Sequence, residues 1–533
     1  MSQITERWLF ISRDHSKPEK FADTLSLLPR AKAAGYNTIL LGDHYLLTID
    51  RMPEAHRQRL IELREAIRAQ GFKLLAGCMP VGYALSILAY DPNLAEGVPV
   101  KDALFVARGG RLEFQQDPAP VVVNGAFASR DGVHFDGWEV QEGLGTTLFV
   151  EKRDGAVRTE ITPERCMLAQ KVKVHPYRQY HIRVRTKIKG MDNREGGAIV
   201  VRATDKEGRT RRLNYACLRG HPDCGWREQH AIFNSFEFDE VLVGIGTDSE
   251  GHGTIWWQDF SLEETALVNL LRRDGCPLSV KGEDGTAYQE GKDFEPIVDA
   301  LLDPMELYHT PPVVKLTAKT RIRTGARVRM SYYHPLFIYG DQVCACLSDQ
   351  KVFDIMRDQV TRLNELLHPD AFLMSQDEMR TANQDAACVS RNMTPGQLMA
   401  ENVRKCAQII RDLRPEAKIW IWSDMLDPFH NAHDGPYYFV EGSWKGAWEG
   451  ADPDIGIANW AGHLKGKNFK WFSDRGHQQV LCGYYDYDDD GKAIAEWLKA
   501  AEGIPGVIGV MHTSWQEKYG TIEAWAKAAW GEG

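Results

Sequence analysis

The sequence predicts an α/β protein, a (β/α)8 barrel interrupted by an inserted β-sandwich. Short apolar runs near residues 8, 39, 75, 373, 420, 457, 481 and 509 number eight, the count that closes such a barrel. Helix-period segments separate them at both ends of the chain, and between about 95 and 265 this rhythm gives way to short alternating strands and Gly-rich turns.

At the amino end, Trp8 to Ile11 is apolar, 21–35 has helical spacing and stops at Gly35, and 37–42 is a short apolar strand. A second helix, 53–71, closes at Gly71 and leads into a third strand at 72–79. Right-handed crossovers of this kind build parallel sheet. The segments 171–190, 196–204, 239–251 and 253–264 alternate as sandwich strands do. Residues 266–335 carry more turns and a few strands and end in VRMSYYHP (328–335), a ninth strand-like run assigned to the inserted region or its return. The amphipathic helix 348–367 then precedes AFLMSQ, and 393–415, opened by Thr394 and Pro395, precedes KIWIWS. Segments 468–476 and 491–506 lead to HQQVLCGYY and VIGVMHTSW, and 521–530 is a final helix. The expected organisation is 1–94 as the first part of the barrel, 95–265 as the sandwich, 266–335 as a β-rich connection and 336–533 as the second part of the barrel.

Composition narrows the partners. A chain of 533 residues exceeds what one hydrophobic core organises, so two or three domains are expected. A formal charge of -10 argues against wrapping nucleic acid or docking on an anionic membrane, since both attract clustered Lys and Arg; a neutral ligand is the easier fit. No stretch reaches the length of an uncharged membrane span, and the amino terminus lacks a basic segment followed by an apolar one. The chain reads as cytoplasmic, or as secreted or periplasmic if a leader was removed. Ten scattered cysteines, among them Cys78, Cys344, Cys346 and Cys482 in or beside strands, fit reduced, buried thiols. Cys344 and Cys346 resemble half a metal site with no second half at conventional spacing, and neither GxGxxG nor a P-loop is present, so no metal or cofactor is expected. Association with further copies of the chain is left open.

Barrel strands converge at their C-terminal ends. Those ends carry Arg13 and Asp14, Asp43 and His44, Met79 and Tyr83, Asp377 and Glu378, Trp422 and Asp424, Asn459 and Trp460, Tyr484, Tyr485 and Asp486, and finally His512, Trp515 and Glu517. In Ala371 to Thr381, AFLMSQDEMRT, an apolar strand stops at two adjacent acids, which are costly in a core and natural at a barrel mouth. Carboxylates among Trp and Tyr suit carbohydrate chemistry, in which rings stack on sugar C–H faces while acids bind hydroxyls and move protons. Glu378 is the expected general acid; the competing reading has Asp377 cap the next helix and Glu378 pair with Arg380. Asp427, His430, His433 and Asp434 follow the fifth strand with spacing that suits a metal, but read better as substrate-contact and loop-shaping residues, with His430 or His433 lining an outer subsite. His44, Tyr333 and His334 are further candidates for the substrate. The acidic run 485–491 reads as a helix start before calcium.

The order of these strand-end residues resembles that of the family 20 glycoside hydrolases, the β-N-acetylhexosaminidases, over roughly 7–90 and 340–530. The resemblance implies a retaining, exo-acting enzyme on oligosaccharides or glycoconjugates, with Glu378 as acid/base and Asp377 orienting the substrate's 2-acetamido group, whose carbonyl oxygen attacks the anomeric carbon. It implies that Trp422, Trp460 and Trp515 wall the sugar, that Tyr484 bonds the acetamido oxygen, and that Asp486 and Glu517 bind hydroxyls. Where the family usually has His-x-Gly-Gly, this chain has Leu373-Met374-Ser375-Gln376, and its β-rich region interrupts the barrel instead of preceding it. A non-acetamido sugar therefore stays open, with Asp424 or Asp486 as nucleophile or base. So do a non-catalytic sugar-binding protein and metal-assisted chemistry through 427–434. The chain also looks like a poorly characterised bacterial group of glycosidases, which supplies no substrate. Through WEVQEG (138–143) and GTIWWQDFSLEE (253–264), the insertion looks like carbohydrate-binding jelly rolls.

Overall fold

The computed structural model describes residues 4–144, 147–151, 155–162, 166–193, 196–247, 251–339, 342–460, 464–488 and 491–531. It divides the chain into two compact units, one of Met1–Leu94, Cys344–Asn383 and Cys388–Gly533, the other of Ala95–Val343 with Gln384–Ala387.

The first unit is a closed parallel barrel. Its strands are β1 (Glu6–Ser12), β2 (Thr38–Gly42), β3 (Lys73–Cys78), β4 (Ala371–Met374), β5 (Lys418–Trp422), β6 (Gly456–Asn459), β7 (Gln479–Cys482) and β8 (Val507–His512). Neighbours pair in chain order, and Trp8 opposite Met511 in the β1–β8 register closes the ring. Alternate residues of each strand point inward, so Trp8, Phe10, Leu40, Leu75, Leu373, Trp420, Trp422, Val480 and Met511 belong to one packed core. The opposite parity, including Leu9, Ile11, Ile39, Leu41, Phe372 and Ile421, is also buried. Strands buried on both faces read as unbroken apolar runs, which is how the sequence shows them. Gly456 gives the Trp420 indole its room, because a Cβ there would lie 2.3 Å from the ring.

The surrounding helices begin on local signals. Asp349 accepts from the Lys351 amide at 3.0 Å ahead of Gln350–Leu367. Pro395–Leu413 opens with a reciprocal Thr394–Gln397 capping box and a proline in its first turn. Among the described residues, no helix is long and apolar enough to cross a membrane.

The second unit, the inserted sandwich domain, contains two five-stranded sheets and one six-stranded sheet. The six-stranded sheet draws strands from both ends of the insertion: Gly97–Arg108 pairs antiparallel with Arg327–Pro335, and Arg111–Phe114 with Val314–Lys315. Segments 97–114 and 279–335 thus share one sheet and one core, built from residues such as Phe105, Leu270, Phe294, Val328 and Tyr332. The ninth strand-like run lies here, not in the barrel.

Candidate active site

Where β4 ends, the chain turns sharply. Glu378 sits at φ +47, in the left-handed region that costs a non-glycine residue about 1–3 kcal/mol, and its amide donates to Asp424 Oδ2 at 3.0 Å. Its Oε2 accepts from Arg380 Nη2 at 2.8 Å and from the Tyr83 hydroxyl. The Glu378 side chain is 38% exposed, whereas Asp424 is buried and also accepts from Asn431 Nδ2 at 3.2 Å. Burial, reinforced by neighbouring carboxylates, pushes the Asp377 and Asp424 carboxyls well above the usual range: Asp424 and Glu378 act on Asp377, and Glu378 acts on Asp424. The arrangement favours the protonated form of Asp377 and Asp424.

Two loops support it. Gly82, after β3, passes so close to β4's exit that a Cβ would lie 2.0 Å from the Asp377 carbonyl oxygen. Gly82→Ala is therefore expected to push the Asp377–Glu378 turn aside by more than about 1 Å and to cost at least about 10-fold in kcat, as a steady-state assay beside a thermal melt would show. Thr381–Ala382 pairs with Phe439–Val440, which sets the Tyr438 ring 4.9 Å from the Arg380 guanidinium carbon. The Tyr437 phenol is raised by burial and then by the Asp424 charge.

An aromatic wall adjoins these acids. The ring centroids of Trp422 and Trp460 lie 6.1 Å apart, those of Trp422 and Trp515 6.3 Å, and those of Trp460 and Trp515 6.4 Å. Phe10 meets Trp515 edge-on at 5.1 Å. Trp422 is 7% exposed and Trp515 is 48% exposed, so the wall runs from core to surface. Ser423 joins wall and acids, because its Oγ accepts from the Trp460 amide at 2.8 Å while the flanking residues are Trp422 and Asp424.

Several expected residues take other stations. Asp486 is buried with both oxygens occupied: Oδ1 by Ser514 Oγ at 2.5 Å and the Gln516 amide at 3.1 Å, Oδ2 by the Trp515 amide at 2.9 Å. These bonds make it a tie between the end of β7 and the loop after β8. Glu517 binds Arg13 Nε at 3.1 Å and Lys20 Nζ at 2.6 Å, a compact ion-pair cluster. Tyr484 is exposed and its hydroxyl accepts from Gln516 Nε2 at 2.9 Å. His44 is exposed beside Asp43, whose buried carboxylate is held by His15 Nδ1 at 3.0 Å and His56 Nε2 at 3.3 Å.

After β5, Asp427 turns inward to Asn468, His430 is half-buried, His433 is exposed and Asp434 pairs with Lys445 at 3.2 Å. Among the described residues these four gather no set of metal-ligand atoms. Tyr333 and His334 belong to the inserted unit; His334 is buried there, its Nε2 3.2 Å from Asn234 Nδ2 and its Nδ1 3.0 Å from the Pro335 carbonyl. In the acidic run, Asp488 accepts from the amides of Ala493 and Ile494 and so starts the helix Lys492–Ala500. Asp489 and Asp490 lie outside the described residues.

Sequence reasoning did not list Arg380, Asn431, Tyr437 or Tyr438 for the site, and named Tyr83 only as a strand-end residue. The tyrosine pair lies some fifteen residues beyond β5 by the numbering, and only its unusual Pro-Tyr-Tyr setting in a polar loop marks it.

No family model and no curated protein matches the chain. Among solved structures, a rhamnosidase from Novosphingobium sp. PP1Y is similar at 11% identity and a TM-score of 0.34, over 96% of this chain and 55% of that one. This chain thus spans about half the rhamnosidase's length. The GH20 catalytic modules of a pneumococcal exo-β-D-N-acetylglucosaminidase align at 12% identity and 0.23, over 35% of this chain and 50% of that one. Dispersin B aligns at 11% and 0.24, over 36% and 60%. These neighbours are remote, and residue roles rest on the geometry above.

Proposed function

We propose that the chain is a glycoside hydrolase, an exo-acting β-N-acetylhexosaminidase using substrate assistance. The observation that carries this is the tripeptide Trp422–Ser423–Asp424, which ties a three-indole wall to a three-carboxylate cluster at one barrel mouth. Rings accept the C–H face of a pyranose and the acids serve its polar edge and its leaving group.

Glu378, with 38% of its side chain exposed, is the cluster member assigned to the glycosidic oxygen. In the proposed step it gives its proton to that oxygen as the C1–O bond breaks, while the acetamido carbonyl oxygen closes on C1. Glu378 then takes a proton from the water that opens the resulting ring, and the anomeric configuration is retained. Asp377 orients the acetamido N–H. The two rival enzyme nucleophiles suit that task poorly: Asp424 is buried and holds its proton above the usual range, and Asp486 has both oxygens engaged by the loop after β8. That supports attack by the substrate's own oxygen.

The test is product analysis with chromogenic β-N-acetylglucosaminide and β-N-acetylgalactosaminide, beside a rhamnoside and a glucoside. Release of the N-acetylhexosamine, with the β-anomer formed first in NMR, is expected. Saturable binding without turnover on the whole panel would replace the enzyme reading with a sugar-binding one.

A further inference from the structure

A second pair of rings is tied to the exposed end of the indole wall by hydrogen bonds. Beyond Trp515 stands Gln516, whose Nε2 donates to the hydroxyls of both Tyr484 at 2.9 Å and Tyr487 at 3.0 Å. Those two rings lie 5.9 Å apart. Tyr484 is 44% exposed, and Tyr487 is 72% exposed even with the Lys518 ammonium 4.1 Å from its ring centre. What marks the two is their adjacency, since neighbouring exposed rings make one continuous aromatic surface. The rings are also held in place. Buried Asp486 accepts from the amides of Trp515 and Gln516, and its neighbour Asp488 secures the following helix, so the segment carrying both tyrosines is fixed at two points. Aromatic rings ordered before binding lose little entropy on meeting a ligand.

We infer that Tyr484, Gln516 and Tyr487 form an outer subsite for the leaving-group side of an oligosaccharide, making the enzyme selective for chains over single aryl glycosides. The inference rests on the proposed glycosidase reading and deepens it by naming the substrate class. An exo-acting enzyme keeps the terminal sugar at the deep end of the wall and lets the rest of the chain run outward, and the tyrosine pair is tied to the exposed end of the wall through Gln516, the residue after Trp515, and through Asp486, which accepts from the Trp515 amide. Tyr487, the more exposed of the two, is the specificity-determining residue. The Gln516 amide, which bridges the two phenols, supplies the polar contact between ring platforms.

The experiment compares kcat/KM of the wild type, Tyr487→Ala and Tyr487→Phe on nitrophenyl β-N-acetylglucosaminide and on β-1,4-linked N-acetylglucosamine oligomers of two to four rings. The expected result is a fall of about 5- to 10-fold in the ratio of tetramer to aryl-glycoside kcat/KM for Tyr487→Ala, carried by KM, with most of the ratio kept by Tyr487→Phe. An unchanged ratio overturns the subsite. A second arm separates this failure from failure of the catalytic reading: tetramer binding is measured by calorimetry in Glu378→Gln with and without Tyr487→Ala. Weakening by about 5-fold or more supports the subsite even if no turnover is found; equal affinity, or no binding at all, overturns it.

Discussion

Glu378→Gln is expected to lower kcat on an oligosaccharide at least about 10²-fold while the protein keeps its melting temperature to within a few degrees. The side chain is partly exposed, and an amide of the same shape still accepts from Tyr83 and Arg380, so the fold has little at stake. What the amide lacks is a proton to give. The loss should accordingly shrink for a nitrophenyl leaving group, which departs without one, and grow for a sugar leaving group, which cannot. A structural role for the Arg380 pair alone predicts the same modest loss on both substrates, so the leaving-group series separates the two accounts. Equal turnover of variant and wild type would remove Glu378 from the chemistry.

The second large effect concerns stability and pH. Asp377 and Asp424 both have folded values raised by burial and neighbouring charge. Between about pH 4, where carboxyls of the unfolded chain release their protons, and the raised folded values, the native state binds more protons than the unfolded one. Stability therefore falls as pH rises through that window, by about 1.4 kcal/mol per pH unit for each retained proton. The contribution is fully present below the window and lost above it. Asp424→Asn removes one such group while its amide oxygen still accepts from the Glu378 N–H. Denaturant unfolding from pH 4 to 9 should show a flatter decline and a more stable protein on the alkaline side, while turnover falls far less than in Glu378→Gln, because Asp424 takes no part in the proposed proton transfers and the amide still holds the Glu378 turn. A stability curve parallel to that of the wild type would mean that Asp424 is not a buried, proton-holding acid.

The eight barrel strands were legible because parallel strands enclosed on both faces cannot alternate, and runs such as Leu9–Ile11 or Ile39–Leu41 advertise that enclosure. The indole wall was legible too, since Trp422, Trp460 and Trp515 each end a strand and a closed barrel brings strand ends together. The sheet shared by 97–114 and 279–335 was not legible, because antiparallel pairing across more than two hundred residues leaves no local trace. In the site, sequence spacing showed which residues arrive at the mouth but not which are already engaged. Asp486 and Asp424 both end barrel strands, yet Asp486 is tied up by three donors from its neighbouring loop and Asp424 holds the turn at Glu378. Arg380 was visible only as a rival explanation for Glu378; the structure makes that ion pair part of the acid's setting.

The most direct measurement is a crystal structure of Glu378→Gln with a β-linked N-acetylglucosamine tetrasaccharide. The account predicts the terminal sugar against the Trp422, Trp460 and Trp515 rings, its acetamide bonded to Asp377, its carbonyl oxygen within about 3.5 Å of the anomeric carbon, and the amide that replaces the Glu378 carboxyl beside the glycosidic oxygen. A carboxylate of Asp424 beneath the anomeric carbon, or sugar found only on the inserted domain, would contradict it.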